Sequence, residues 1–142
     1  MYSKIMLPVD LNEEASWSKA LPTALALCRS FDASLHLVTV LPDYSMPIVG
    51  SYFPKGFAKK AREAIAKAQR AFINANVPED VRTQSVIVDG SPWEAIINAA
   101  KKIEVDLIVM ASHNKLKFAD YVLGPNAEHV VHHAKVSVMI VR

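Results

Sequence analysis

Short apolar runs alternate with amphipathic stretches along this chain, and the alternation predicts its secondary structure. Runs rich in apolar and β-branched residues indicate strands at residues 4–9, 34–41, 81–88, 106–111 and 136–141. The stretches between them place apolar residues three and four positions apart, which is typical of helices. These helices are expected to end near residue 31, to cover residues 56–76, to begin at residue 91 and to cover residues 127–134.

Strict alternation of strands and helices predicts an α/β fold, a parallel sheet with helices on both faces. Residues 42–54, with three prolines, are expected to form an irregular loop before the second helix. No internal repeat, linker or low-complexity segment interrupts the pattern. We therefore expect residues 1–142 to form a single domain.

Polar residues and prolines mark where the helices are expected to begin. Asn12 is placed to cap the first helix, and Pro22 either kinks that helix or marks its true start. The third helix has a complete start signal: Ser91 as the N-cap, Pro92 at the first position and Glu94 to close a capping box.

Composition narrows the class of protein. Apolar residues make up 51% of the 142 residues, which is typical of a globular chain with a full core. The net charge of +2 is too small to imply a nucleic-acid partner. A single cysteine, Cys28, excludes an internal disulfide, and no apolar run reaches membrane-spanning length. We expect a cytoplasmic protein that binds neither nucleic acid nor membrane.

Candidate chemistry lies where the fourth strand ends and the last helix begins. Ligands of open α/β sheets bind outside the carboxyl ends of strands, and a helix N-terminus offers N–H groups to anions. Gly124 either allows a left-handed turn and close packing or aims its N–H at a phosphate. Pro125 lacks an N–H where a phosphate needs one; Asn126 either restores a donor or is a helix-start residue.

Motifs along the whole chain resemble the universal stress protein family, and most closely its short, single-domain bacterial members. The matching segments are residues 5–10, 35–41, 90–92, 106–113, 123–127 and 136–142. The resemblance implies a five-stranded, Rossmann-like α/β sandwich with strand order 3-2-1-4-5. It also implies that many members pair as dimers through the last strand.

Some family members bind ATP through a spaced pattern: Gly, two residues, Gly, nine residues, Gly, then Ser or Thr. The corresponding positions here are Ala111, Asn114, Gly124 and Pro125, so the spacing is kept while only one residue type of the pattern remains. Ala111 adds only a methyl group. Asn114 can adopt the left-handed conformation that glycine prefers but adds bulk near the phosphates.

The resemblance places the Asp10 region and Thr39 against the adenine or ribose, and Met110 near the base. The carboxylate of Asp10 can accept hydrogen bonds from ribose hydroxyls or the adenine amino group; capping of the first helix is the alternative. His113 lies at the pocket mouth without an evident nucleophile. The candidate binding residues are therefore Pro8, Val9, Asp10, Thr39, Met110, Ala111, His113, Asn114, Gly124, Pro125 and Asn126.

Two functions remain open. The first is a stress-response regulator with a degenerate cleft that binds ATP or AMP, with Mg, weakly and without efficient catalysis. The second is an interaction protein of the same fold that binds no nucleotide. An enzyme of the ATP-pyrophosphatase type is not expected, because the loop after the first strand reads Asp-Leu-Asn-Glu-Glu over residues 10–14 rather than a glycine- and serine-rich turn.

Two further expectations concern assembly and metals. Residues 136–141 would leave an exposed strand edge, so we expect a symmetric homodimer that pairs through it. His129, His132 and His133 lie close in sequence, but no cysteine or carboxylate has zinc-ligand spacing around them, so no metal site is expected.

Overall fold

Strands and helices alternate from end to end of the computed structural model, which describes residues 1–41, 55–112 and 124–142. In chain order the elements are β1 (Lys4–Pro8), a short 3₁₀ helix (Glu14–Ser16), α1 (Ala20–Phe31), β2 (Ser34–Leu41), α2 (Phe57–Asn76), β3 (Thr83–Asp89), α3 (Pro92–Ile103), β4 (Leu107–Ala111), α4 (Pro125–His133) and β5 (Ser137–Val141).

The five strands form one sheet in the order β3-β2-β1-β4-β5, and each neighbouring pair is parallel. The predicted fold class and strand order are confirmed. β1 is the central strand and pairs with both β2 and β4. The chain runs from β1 to β2 on one side and from β4 to β5 on the other. Their outgoing connections therefore diverge, which opens a crevice at the carboxyl ends of these strands.

The sheet is covered on both faces, and the residues of β1 alternate between two cores. Ile5 and Leu7 pack with α1 and with the C-terminal half of α2, whereas Met6 packs with α3 and α4. All three side chains are fully buried. Burial on both faces explains why β1 reads as a continuous apolar run rather than an alternating one. Among the described residues, no helix has both the length and the apolar character required to cross a membrane.

A carboxylate ties the amino ends of the two central strands together. Asp106, just before β4, accepts hydrogen bonds from the Ser3 amide at 2.8 Å, the Ser3 hydroxyl at 2.9 Å and the Lys4 amide at 3.2 Å. Partial burial disfavours the charge, but these hydrogen bonds outweigh it and hold the pKa of Asp106 below its usual range. The register between β1 and β4 is thereby anchored at the end opposite the crevice.

Several local predictions need correction. Asn12 does not cap the first helix: α1 begins at Ala20 after Lys19, and the Asn12 amide instead hydrogen bonds Asp10. Pro22 lies in the first turn of α1, so it marks the start rather than a kink. Ser91 is the N-cap of α3, with proline at the first position, but its side chain makes no capping hydrogen bond. The predicted loop over residues 42–54 lies outside the described residues.

One buried histidine makes the fold sensitive to pH. His36 in β2 is only 3% exposed. Its Nε2 lies 3.1 Å from the Ser34 hydroxyl, while its Nδ1 has no hydrogen-bond partner within the described residues. Burial, and then the positive charge of Lys4, lower the pKa of His36. The native state therefore holds this imidazole neutral where the unfolded chain would protonate it.

We expect stability to fall in mild acid. Below the unfolded pKa of about 6.5 the unfolded state binds more protons than the native state, so protonation favours unfolding. Urea unfolding should show the free energy of unfolding falling by about 1 kcal/mol more in wild type than in His36→Leu between pH 6.5 and 5.5. The exposed-site variant His132→Gln should behave like wild type. Equal slopes for wild type and His36→Leu would contradict the assignment.

Candidate functional site

A cleft of about 590 Å³ opens at the carboxyl ends of the three strands at the centre of the order, β2, β1 and β4. This volume lies within the ~300–1,000 Å³ that small-molecule sites occupy. Its lining residues are Pro8, Val9, Asp10, Leu11, Asn12, Ser16, Val38, Thr39, Val40, Leu41, Ala61, Ala64, Ile65, Pro92, Ile96, Met110, Ala111 and Asn126.

Three helices form walls of the cleft: α2 and α3 contribute small or apolar side chains, and α4 contributes a polar residue. The N-terminal half of α2 supplies Ala61, Ala64 and Ile65, and the start of α3 supplies Pro92 and Ile96. These side chains are small or apolar, so they form a smooth slot above the strand ends. The start of α4 contributes Asn126.

Hydrogen bonds within residues 10–16 fix the conformation of the turn that follows β1. The Asp10 amide donates to the hydroxyl of buried Ser16 at 3.0 Å, and that hydroxyl reaches the Glu13 carbonyl at 2.7 Å. The Asp10 carboxylate accepts from the Asn12 amide at 3.0 Å and stays exposed to solvent. The suggestion that Asp10 caps the first helix is wrong, because α1 begins only at Ala20. The carboxylate is therefore oriented beside the cleft as a hydrogen-bond acceptor.

Thr39 is the polar residue among the β2 residues that line the cleft; its neighbours Val38, Val40 and Leu41 are apolar. It is 5% exposed, and its hydroxyl accepts a hydrogen bond from the side-chain amide of fully buried Gln69 at 3.0 Å. The same amide reaches the Leu37 carbonyl at 3.0 Å. α2 is thus joined to β2 directly beside the cleft.

The start of α4 differs from its expected geometry. Gly124 is the N-cap with φ of −57°. The expected left-handed turn is therefore wrong, since other residues also adopt this φ. Pro125 occupies the first helical position, where its missing N–H leaves the following amides as the free donors. Asn126 lines the cleft, whereas Gly124 and Pro125 are not among its lining residues.

The structure brings most of the predicted site residues together. The cleft lining includes the candidates Pro8, Val9, Asp10, Thr39, Met110, Ala111 and Asn126. The candidates His113 and Asn114 lie outside the described residues.

Sequence reasoning missed the α2 wall. Ala61, Ile65 and Phe72 lie on one apolar stripe of the helix predicted over residues 56–76, but only the C-terminal part of that stripe packs on the α1 side of the core. The signal was present: the N-terminal half of the stripe is rich in alanine, which leaves space that bulky residues would fill. Gln69 in the same stripe was also missed, although a polar residue on an apolar face calls for a buried partner.

The histidines of α4 pack against an aromatic ring. The rings of His129 and His133 lie 4.8 Å and 4.6 Å from that of Trp93, and His133 Nδ1 lies 2.8 Å from the His129 carbonyl. Over residues 1–41, 55–112 and 124–142, no group of three or more His, Cys, Asp or Glu side chains is placed to hold a metal ion.

This chain is similar in sequence and in structure to known universal stress proteins. A curated universal stress protein of Methanocaldococcus jannaschii is 27% identical over 149 residues, which covers 100% of this chain and 83% of the relative. The solved structure of the universal stress protein UspA from Lactobacillus plantarum is 25% identical, with a TM-score of 0.70 and coverage of 99% and 98% of the two chains.

Two solved relatives share the fold and contain a nucleotide. A universal stress protein in complex with cAMP is 20% identical, with a TM-score of 0.65 over 99% of this chain and 97% of the other. A universal stress protein from Archaeoglobus fulgidus in complex with dAMP is 19% identical, with a TM-score of 0.65 over 99% and 98% of the chains. The model of the universal stress protein family matches residues 1–142, so this chain belongs to the universal stress protein family.

Proposed function

We propose that this protein binds an adenine nucleotide in the cleft at the carboxyl ends of β1, β2 and β4, and acts as a regulatory stress-response protein rather than a catalyst. The observation that carries the proposal is the cleft itself: an apolar slot at the reversal of strand order, with polar groups at its edge. That relatives of the same fold hold cAMP and dAMP supports the proposal.

The polar groups of the lining suit a nucleoside. The exposed Asp10 carboxylate can accept hydrogen bonds from ribose hydroxyls. We propose that the purine ring binds between the α2 wall and the strand ends, which both line the cleft. The Asn126 amide at the start of α4 is placed for a phosphate. Because Pro125 contributes no N–H there, we propose that the phosphate end binds weakly and that AMP competes well with ATP, with or without Mg.

The same lining supports the proposal that the protein is not an efficient catalyst. Its described residues contain one acid, Asp10, and no lysine, arginine, histidine or cysteine. Phosphoryl transfer depends on cations that neutralise the charge developing on the phosphate oxygens. A cleft of this composition is better suited to binding a nucleotide than to hydrolysing it.

The second candidate function is a dimeric interaction protein whose cleft takes no nucleotide. The outer edge of β5 favours it: β5 pairs with β4 on one side, and Met139 on this strand is 37% exposed. An apolar terminal strand of this kind is stabilised by pairing with a second copy. Dimerisation is compatible with both functions, so nucleotide binding distinguishes them.

Calorimetric titration with AMP and with ATP, each with and without Mg²⁺, tests the proposal. We expect AMP to bind, and we expect Ala64→Phe to weaken it at least tenfold by filling the slot. Ala68→Phe is the matched control, one turn along α2, exposed and outside the lining. No binding at millimolar AMP, or equal effects of the two variants, would rule out this site.

Pro125→Ser tests the phosphate end. The substitution restores an N–H and adds a hydroxyl at the first position of α4, a residue that does not itself line the cleft but immediately precedes Asn126, which does. We expect AMP to bind about tenfold more tightly, as one or two additional hydrogen bonds predict, whereas adenosine should bind as before. An equal change for AMP and adenosine would show that the substitution acts elsewhere.

Light scattering on a sizing column tests assembly. At micromolar concentration we expect the mass of two 15.6 kDa chains, and Met139→Lys should shift it toward the monomer by placing a charge on the β5 edge. Ala58→Lys, on the exposed face of α2, is the control and should remain dimeric. A monomeric wild-type protein would contradict pairing through this strand.

A further inference from the structure

Gln69 on α2 is completely buried and is bound into the sheet by its side-chain amide. Its Nε2 lies 3.0 Å from the Leu37 carbonyl, 3.0 Å from the Thr39 hydroxyl and 3.1 Å from the Val86 carbonyl. Its Oε1 accepts a hydrogen bond from the Ser85 hydroxyl. A polar side chain buried this deeply requires partners for each of its atoms, and this one has them.

The chemistry of these partners fixes the direction of every hydrogen bond. The Leu37 and Val86 carbonyls can only accept, so the NH₂ group of Gln69 must face them. The opposite side of the amide is then an acceptor, and the Ser85 hydroxyl must donate to it. The NH₂ group shares its two hydrogens among the two carbonyls and the Thr39 hydroxyl, and because it can only donate, Thr39 cannot donate to it.

The hydrogen of the Thr39 hydroxyl consequently has to find an acceptor elsewhere. Among the residues the structure describes, no side chain or carbonyl accepts it. Thr39 lines the cleft, and so does Ile65, which lies one helical turn before Gln69 on the same face of α2. The hydrogen bond between Gln69 and Thr39 therefore lies directly beside the cleft.

We propose that Gln69 is a positioning residue that makes Thr39 an obligate hydrogen-bond donor to the occupant of the cleft, so that the cleft selects a base with an unprotonated ring nitrogen at that point. The inference rests on the proposed adenine-nucleotide function and adds the identity of a specificity contact. A base that presents an N–H there can donate only to the remaining lone pair of the Thr39 oxygen and leaves the hydroxyl hydrogen without an acceptor, which disfavours binding.

The test compares AMP with 1-deaza-AMP, 3-deaza-AMP and 7-deaza-AMP, each of which replaces one ring nitrogen by C–H. For wild-type protein we expect one analogue to bind about tenfold more weakly than AMP, the loss typical of one buried hydrogen bond, and the other two to bind like AMP. Thr39→Val should weaken AMP about tenfold and bind AMP and that one analogue equally. Thr39→Ser, which keeps the hydroxyl, should retain the discrimination.

Gln69→Met keeps the side-chain length and removes the amide, so the Thr39 oxygen no longer receives a hydrogen bond from α2 and can accept one from a ligand. We expect the ratio of AMP to analogue affinity to fall in this variant, a readout that a purely structural role would leave unchanged. The Thr39 variants decide the matter if Gln69→Met does not fold. Normal AMP binding with equal affinity for all three analogues would overturn this inference alone, whereas no AMP binding overturns the proposed function as well.

Discussion

The position of β1 between β2 and β4 is the constraint on which the rest of this molecule depends. β1 pairs with both neighbours in parallel, its side chains fill the cores on both faces, and Asp106 fastens its amino end to the strand beside it. The chain then leaves the carboxyl ends of β1 and β4 in opposite directions. Among the described residues, the cleft occupies the space between these two outgoing connections.

A small number of polar groups with fixed orientation supply the hydrogen-bond donors and acceptors of the cleft. Ser16 holds the turn that presents Asp10, and Gln69 holds the hydroxyl of Thr39. Both supporting side chains are buried. Buried hydrogen bonds of this kind keep the donors and acceptors of a site in place before a ligand arrives, which lowers the entropic cost of binding. The proposed nucleotide binding rests on this apolar slot and its two fixed polar groups.

The alternation of strands and helices predicted the parallel sheet covered on both faces. The strand order 3-2-1-4-5 was implied by the family resemblance. The predicted limits of β2 agree with the structure, and the predicted start of α2 differs by one residue. Strand-end candidates such as Asp10 and Met110 line the cleft for the same reason, since parallel strands end at one edge. The contribution of α2 was not predictable from periodicity, because a stripe of apolar positions does not reveal that half of it overhangs a cavity. The φ of Gly124 likewise depends on the local chain path rather than on residue type.

A two-dimensional NMR titration of the protein with AMP tests the central claim most directly, because it reports where the nucleotide binds as well as whether it does. The account predicts that the largest amide shifts fall at the strand ends and at the first turn of α4, on Val9, Asp10, Val40, Ala111 and Asn126. Shifts concentrated on α1 or on the outer edge of β5, or none at millimolar AMP, would contradict it.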